Sequence, residues 1–111
     1  MVEYFNTIYS DEVEEFLDSL NDKARKKIIY NVDKARLTQD SELFKKIDSD
    51  IWEFRTKYNK IQYRLLAFWD KRDSLETLVI ATNGFIKKTK KTPKAEIKRA
   101  RQIMEFYFKT N

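Results

Sequence analysis

The sequence contains no cysteine and no histidine among its 111 residues. Without cysteine, neither a disulfide framework nor a thiolate zinc site can form, and nothing indicates an oxidising compartment. Without histidine, the most common catalytic acid or base and the most common metal ligand are both missing. A histidine-based catalytic site is therefore excluded, and we expect no metal and no cofactor.

Glycine, proline and long apolar runs are scarce as well. One glycine and one proline in the chain argue against a flexible linker, and 14% aromatic residues argue against disorder. No stretch approaches the ~18 apolar residues of a membrane span, and the N-terminus lacks the basic and apolar regions of a signal peptide. We therefore expect a single cytoplasmic domain over residues 1–111, with one core and no membrane partner.

Positive charge is present in excess and is unevenly distributed. The formal net charge is +5, yet residues 1–22 contain seven acids and no base. Residues 78–101 have the opposite balance, with eight cations and a single acid, Glu96. The eight cations are Lys87, Lys88, Lys90, Lys91, Lys94, Lys98, Arg99 and Arg101. Such a segment favours a polyanion as partner. A solvated charge run without a ligand is the simpler alternative.

Hydrophobic periodicity in the first half predicts a strand followed by two helices. Residues 2–9 are rich in β-branched and aromatic side chains, which is typical of a strand. Ser10 and Asn21 are suited to cap the two amphipathic helices that follow them. Residues 37–50 lack clear periodicity, so we expect a loop there with at most a short helix.

The second half alternates with a period of two and then returns to a helical pattern. Three strands are expected over residues 51–58, 61–69 and 75–85, joined as antiparallel hairpins. A last helix is expected from Pro93, with Thr92 as its N-cap. The predicted fold is α+β with the order β-α-α-β-β-β-α, in which two N-terminal helices and a C-terminal helix pack on a small, mainly antiparallel sheet.

Two arginines interrupt the apolar pattern of the predicted strands. Arg55 is expected on a water-exposed strand face with Glu53 and Lys57, and Arg64 faces the same way if the hairpin turn has two residues. The guanidinium group matches a phosphate with two parallel hydrogen bonds. The alternative for Arg55 is an ordinary surface ion pair with Glu53 or a cross-strand acid. Most of the strand aromatics are expected in the core, although some could stack bases.

Several segments of the second half resemble a known family. They are Ile-Trp-Glu-Phe-Arg at 51–55, Tyr-Arg-Leu-Leu-Ala-Phe-Trp-Asp at 63–70, and residues 78–100 with Phe-Ile-Lys-Lys-Thr-Lys-Lys-Thr-Pro. In this order they are similar to the RelE/HigB superfamily of bacterial type II toxins, and within it to the HigB-like, phage-derived branch. The resemblance implies a RelE-like fold and a toxin that acts as a metal-independent mRNA interferase, an endoribonuclease that inhibits translation. It also implies mRNA, the ribosome and a cognate helix-turn-helix antitoxin as partners.

The resemblance implies roles for individual residues as well. Arg64 is expected to stabilise charge on the phosphate, Arg55 to assist, and Lys87 and Lys88 to position the RNA or move a proton. Because Arg64 would act through its charge alone, its loss is expected to leave folding nearly intact. Contacts to the RNA backbone are expected at Lys90, Lys91, Lys94, Lys98 and Arg101.

The sequence departs from the family in one segment and leaves two other functions open. The family often has histidine in the segment that is Asn83-Gly84-Phe85 here, so a histidine-based mechanism does not carry over. One alternative function is a non-catalytic basic module that binds RNA or ribosomes. The other is a ParE-like toxin that inhibits a topoisomerase without acting on RNA.

Overall fold

The computed structural model describes residues 3–72 and 77–111. Within them the helices and strands are β1 (Asn6–Tyr9), α1 (Asp11–Asp18), α2 (Asp22–Thr38), β2 (Phe44–Asp48), β3 (Ile51–Tyr58), β4 (Ile61–Asp70), β5 (Leu78–Lys87) and α3 (Lys94–Thr110). The five strands form one sheet in the order β1-β5-β4-β3-β2. Strands β2 to β5 are antiparallel neighbours, and β1 joins β5 in parallel. The predicted α+β fold with a mainly antiparallel sheet is therefore confirmed.

The turn between β3 and β4 has the two residues expected from the sequence. Asn59 and Lys60 both have positive φ, 52° and 66°, which matches the right-handed twist of a tight hairpin. The turn sets the register of the hairpin, in which Arg55 lies directly opposite Arg64. The two strand arginines are thus neighbours on one sheet face.

The prediction for residues 37–50 was wrong in part, because this region contains strand β2. The strand pairs with β3, and its register shifts between Lys46 and Asp48. Two consecutive lysines and this irregularity hide the period-two pattern, and the strand is stabilised by a partner that follows it in the sequence. The order is therefore β-α-α-β-β-β-β-α. The predicted strand at 2–9 covers Asn6–Tyr9 within the described residues, and the predicted hairpin loop after Asp70 lies partly outside them.

Two of the three predicted helix caps are confirmed and one is wrong. The Ser10 hydroxyl accepts a hydrogen bond from the Val13 N–H at 3.1 Å, and the Asn21 side chain accepts one from the Ala24 N–H at 2.9 Å. Thr92 does not cap α3, which starts after Pro93 without a side-chain cap. Its hydroxyl instead donates to the carboxylate of Glu53 at 2.7 Å, and a charged acceptor makes that bond a strong one.

The helices cover the two sheet faces unequally. Helices α1 and α2 pack on one face, where Val13, Leu17, Ile28 and Val32 meet Leu65 and its apolar neighbours. Helix α3 packs on the other face, where its buried Ala100 meets a smaller set of sheet side chains that includes Ile51, Leu66 and Phe85. The predicted apolar stripe of α3 is confirmed, but the helix leaves part of this face open. None of the described helices has the length and apolar character that a membrane crossing requires.

Candidate functional site

A cleft of about 500 Å³ lies on the sheet face that α3 only partly covers. Strand β2, the open sheet face and the start of α3 form its walls. Among the described residues its lining consists of Lys45, Lys46, Ile47, Asp48, Glu53, Arg55, Lys87, Lys90, Lys91, Thr92, Lys94 and Ile97. Seven of these side chains are cations and two are acids. Within residues 3–72 and 77–111 none of the six lysines forms a salt bridge, so their charge is available to a ligand.

Glu53 is the fixed centre of this cleft. Its side chain is 0% exposed, so the water-exposed strand face expected from the sequence was wrong at this position. The carboxylate accepts hydrogen bonds from Arg55 Nε at 3.0 Å and Thr92 Oγ1 at 2.7 Å, and Arg64 Nε lies 3.5 Å away. A buried carboxylate needs such partners, because it has lost its hydration. Glu53 therefore holds two strand arginines and the basic loop in one place.

The two arginines lie at different depths. Arg64 is 8% exposed, and its two terminal nitrogens donate to the Tyr63 carbonyl at 3.0 Å and to Gln62 Oε1 at 3.2 Å. Burial lowers the pKa of Arg64, Glu53 opposes this shift and Arg55 adds to it, yet a guanidinium remains charged. The expectation that loss of Arg64 leaves folding intact conflicts with this buried position. Arg55 is 32% exposed and lines the cleft, so it is the arginine that a phosphate can reach.

The two lysines expected to act together lie in different surroundings. Lys87, at the end of β5, lines the cleft, and its pKa is lowered. Burial is the largest cause; Glu53 raises the value, and Arg64 and Arg55 lower it further. A lowered pKa makes the neutral amine, which can accept a proton, more accessible. Lys88 is exposed in an adjacent hollow beside Ile61 rather than in the cleft.

The five cations expected to contact the RNA backbone separate into two groups. Lys90, Lys91 and Lys94 line the cleft. Lys98 is exposed on α3 away from it. Arg101 has a structural partner, because it forms a salt bridge with Asp48 at 3.1 Å and donates to the Ser49 carbonyl at 2.7 Å. It ties the middle of α3 to the β2–β3 turn and stands beside the cleft.

Asn83 occupies the segment in which RelE-like toxins often have histidine. Its side chain is 2% exposed, and its amide donates to the Glu96 carbonyl at 3.2 Å and to Glu96 Oε1 at 3.0 Å. This segment therefore fixes the first turn of α3 to the sheet. Asn83 thus helps to position the start of α3, which forms one wall of the cleft.

Comparison with known families identifies the chain. The profile of the phage-derived Gp49-like protein family (DUF891) matches residues 15–105, which include every residue that lines the cleft. The chain belongs to this family. The Gp49-like family is toxin-like and related to the RelE superfamily, so membership suggests a toxin-like protein that works with an antitoxin partner. No curated protein matches the chain.

Sequence reasoning missed several residues of the cleft in this Gp49-like protein, among them Lys45, Lys46, Glu53 and Thr92. Lys45 and Lys46 belong to β2, which was expected to be a loop, and Lys45 lies opposite Glu53 in the strand pairing. Their only signal was a lysine pair between Phe44 and Ile47. Glu53 was assigned to an exposed face, and Thr92 to a helix cap. An acid placed two residues before an arginine and between apolar strand neighbours is the signal that could have indicated a buried ion pair.

Proposed function

We propose that this Gp49-like protein is a HigB-like toxin of a type II toxin–antitoxin system, and that it cleaves ribosome-associated mRNA as a metal-independent endoribonuclease. The observation that carries the proposal is the cleft, where six lysines, none of which forms a salt bridge with a described residue, surround Arg55 and the anchored Glu53. Its excess of positive charge suits a phosphodiester backbone more than a neutral molecule. The helix-turn-helix antitoxin, mRNA and the ribosome are the proposed partners.

The proposed reaction is attack of a ribose 2′-OH on the adjacent phosphate. A bond forms between the 2′ oxygen and phosphorus, and the bond to the 5′ oxygen of the next nucleotide breaks, which leaves a cyclic phosphate and a 5′-OH. Arg55 donates hydrogen bonds to the phosphate oxygens as charge develops on them, and Arg64 adds positive charge from beneath. Lys87 in its neutral form accepts the 2′-OH proton, and a protonated lysine of the loop returns one to the leaving oxygen.

The start of α3 adds to the proposed phosphate contacts. The helix has no side-chain cap at Pro93, and Thr92, Lys94 and Ile97 all line the cleft. Free N–H groups at a helix start carry a partial positive charge and favour a phosphate. The Thr92–Glu53 hydrogen bond holds this helix start near Arg55. The basic loop and Arg55 thus contact the same stretch of the RNA backbone.

The test is primer extension on cellular mRNA after induced expression in bacteria. The expected result is a set of discrete breaks together with growth arrest, and co-expression of the antitoxin restores growth. The double variant Lys87→Gln/Lys91→Gln removes two cleft charges and is expected to abolish the breaks. Its matched control is Lys26→Gln/Lys34→Gln, which removes the same charge from exposed positions on α2 and leaves the breaks unchanged.

Two outcomes would contradict the proposal. Growth arrest with intact mRNA and inhibited DNA supercoiling would assign the protein to topoisomerase inhibition. Binding of RNA or ribosomes without breaks, by soluble protein, would make it a non-catalytic binding module.

A further inference from the structure

A second hollow, of about 510 Å³, adjoins the cleft and shares Lys46 with it. Its other lining residues are Asp50, Trp52, Trp69, Lys71, Met104 and Phe108. We call this hollow the tryptophan pocket, because both tryptophans of the sequence line it. The salt bridge between Arg101 and Asp48 links α3 to the β2–β3 turn on the boundary between cleft and pocket. The proposed function makes no use of this second pocket.

The aromatic walls of the tryptophan pocket are held rigidly. The rings of Trp52 and Trp69 lie 5.5 Å apart at 70°, and Trp52 also stacks on Phe44 with 4.9 Å between centroids. Both tryptophans are partly buried: they pack against the core beneath α1 and α2, and they also line the pocket. Phe108, which is 39% exposed, adds an aromatic surface from α3. A planar ligand would therefore bind side chains that are already ordered, so that little further conformational entropy is lost on binding.

The charges around the tryptophan pocket distinguish among ligands. Lys71 Nζ lies 4.9 Å from the ring centroid of Trp69, and Lys46 faces both the pocket and the cleft. Two cations beside aromatic faces suit a base attached to a phosphate backbone. Asp50 can accept hydrogen bonds from the exocyclic amino group of adenine, cytosine or guanine. A purely apolar partner would leave these three charges without counterparts.

We propose that the tryptophan pocket binds one base of the RNA strand whose backbone lies in the cleft. This inference rests on the proposed function, since the same strand supplies both contacts. Lys46 contacts the phosphate that connects them, and the base packs against the aromatic side chains that line the pocket. The pocket then sets which nucleotide lies at the cleavage position.

The two tryptophans make the pocket directly observable, because intrinsic tryptophan emission arises from them alone. The probe is a 2′-O-methyl RNA hexamer, which cannot be cleaved because its 2′-OH groups are blocked, with a dye at its 3′ end. Dye anisotropy measures binding anywhere on the protein, and tryptophan emission measures occupation of the pocket. Both signals are expected to change with the same midpoint. An abasic hexamer of equal length is expected to bind about tenfold more weakly, the order of one lost base stack, and to leave the emission unchanged.

Phe108→Ala and Phe106→Ala form a matched pair on α3. Phe108 lines the pocket, whereas Phe106 is 68% exposed and does not line it. Phe108→Ala is expected to weaken binding of the hexamer with bases about tenfold, to the level of the abasic hexamer, and Phe106→Ala to have no effect. Since Phe108 also packs on Phe68, the urea midpoint of each variant is measured beside its affinity. A folded Phe108→Ala variant that binds both hexamers with the affinities of the unmodified protein would refute binding of a base in the tryptophan pocket.

The remaining outcomes separate this inference from the proposed function. An anisotropy change without any change in tryptophan emission overturns the base pocket and leaves the RNA-binding cleft in place. No binding of either hexamer at low salt overturns both. Emission that changes with protein concentration in the absence of RNA assigns the pocket to a second copy of the chain and also overturns the inference.

Discussion

Replacing Glu53 with glutamine would remove the one negative charge at the centre of the cleft while changing side-chain volume very little. The carboxylate is 0% exposed and faces Arg55, Arg64 and Thr92. Loss of one partner of a buried ion pair typically costs about 3–5 kcal/mol, because the other charge stays buried without compensation. Arg55 is 32% exposed, so water can partly replace the lost contact there. We therefore expect the lower end, about 3 kcal/mol, in the free energy of unfolding.

Urea denaturation followed by circular dichroism measures this loss. With a denaturant slope of about 1.5 kcal/mol/M, the midpoint of Glu53→Gln is expected to fall by about 2 M. Glu105→Gln makes the same chemical change at an exposed position on α3 and should stay within about 0.5 kcal/mol of the parent. Addition of Arg64→Gln to Glu53→Gln is expected to cost less than the sum of the single changes, because the uncompensated cation is removed with it.

The result that would refute this reasoning is a Glu53→Gln midpoint equal to that of Glu105→Gln. It would mean that the arginines do not depend on the carboxylate. Strict additivity with Arg64→Gln would lead to the same conclusion, since residues that share a network are expected to couple.

Further expectations concern Gly84, the pH dependence of cleavage and alkaline stability. A Cβ added at Gly84 would overlap the ring of Phe16, so Gly84→Ala is expected to lower the free energy of unfolding by about 1–3 kcal/mol in urea denaturation. An unchanged midpoint would mean that the Phe16 side chain moves aside without cost. Cleavage of RNA is expected to rise with pH above neutrality, because the lowered pKa of Lys87 brings its neutral form into range, and to show no inflection near ~6.5. Lys87→Arg should remove that rise and EDTA should not alter the rate; loss of activity in EDTA would contradict the metal-free mechanism. Burial raises the pKa of Tyr9 to about 12, with Asp33 adding to the shift and Arg36 opposing it. The folded state thus favours the protonated phenol, and this contribution to the free energy of unfolding is fully present below pH ~10 and is lost as the pH rises towards 12. The variant Tyr9→Phe should not show this alkaline loss of stability.

Those parts of the fold that depend on neighbouring residues could be predicted from the sequence. The Ser10 and Asn21 caps, the apolar stripes of the helices and the two-residue turn at Asn59 and Lys60 all depend on residues within a few positions of one another. The alternation that predicted β3 and β4 also placed Arg55 and Arg64 on a common face. These predictions were correct because the local conformational preferences and the burial pattern favour the same structure.

The features that were predicted wrongly depend on residues that are distant in the sequence. Strand β2 forms because β3 offers it an edge, and nothing in Phe44–Asp48 alone favours a strand over a loop. Thr92 has the hydroxyl of a typical capping residue and directly precedes a helix start. Its hydroxyl nevertheless donates a hydrogen bond to the Glu53 carboxylate, 39 positions earlier in the sequence. The depth of Glu53 likewise depends on the loop before α3, because Thr92 of that loop donates to its carboxylate. Composition and spacing carry no information about this contact.

The attachment of α3 has a consequence for motion. Ala100 is the buried residue of this helix, and much of its attachment consists of polar ties through Glu96, Arg101 and Tyr107. Elements held by few apolar contacts open locally at a lower free energy than the whole domain unfolds. We therefore expect the amide hydrogens of α3 to exchange with solvent earlier than those of the central strand β4. Because the start of α3 forms one wall of the cleft, each local opening also takes the cleft apart. We therefore expect the lifetime of a complete cleft to depend on how long this one helix stays docked on the sheet.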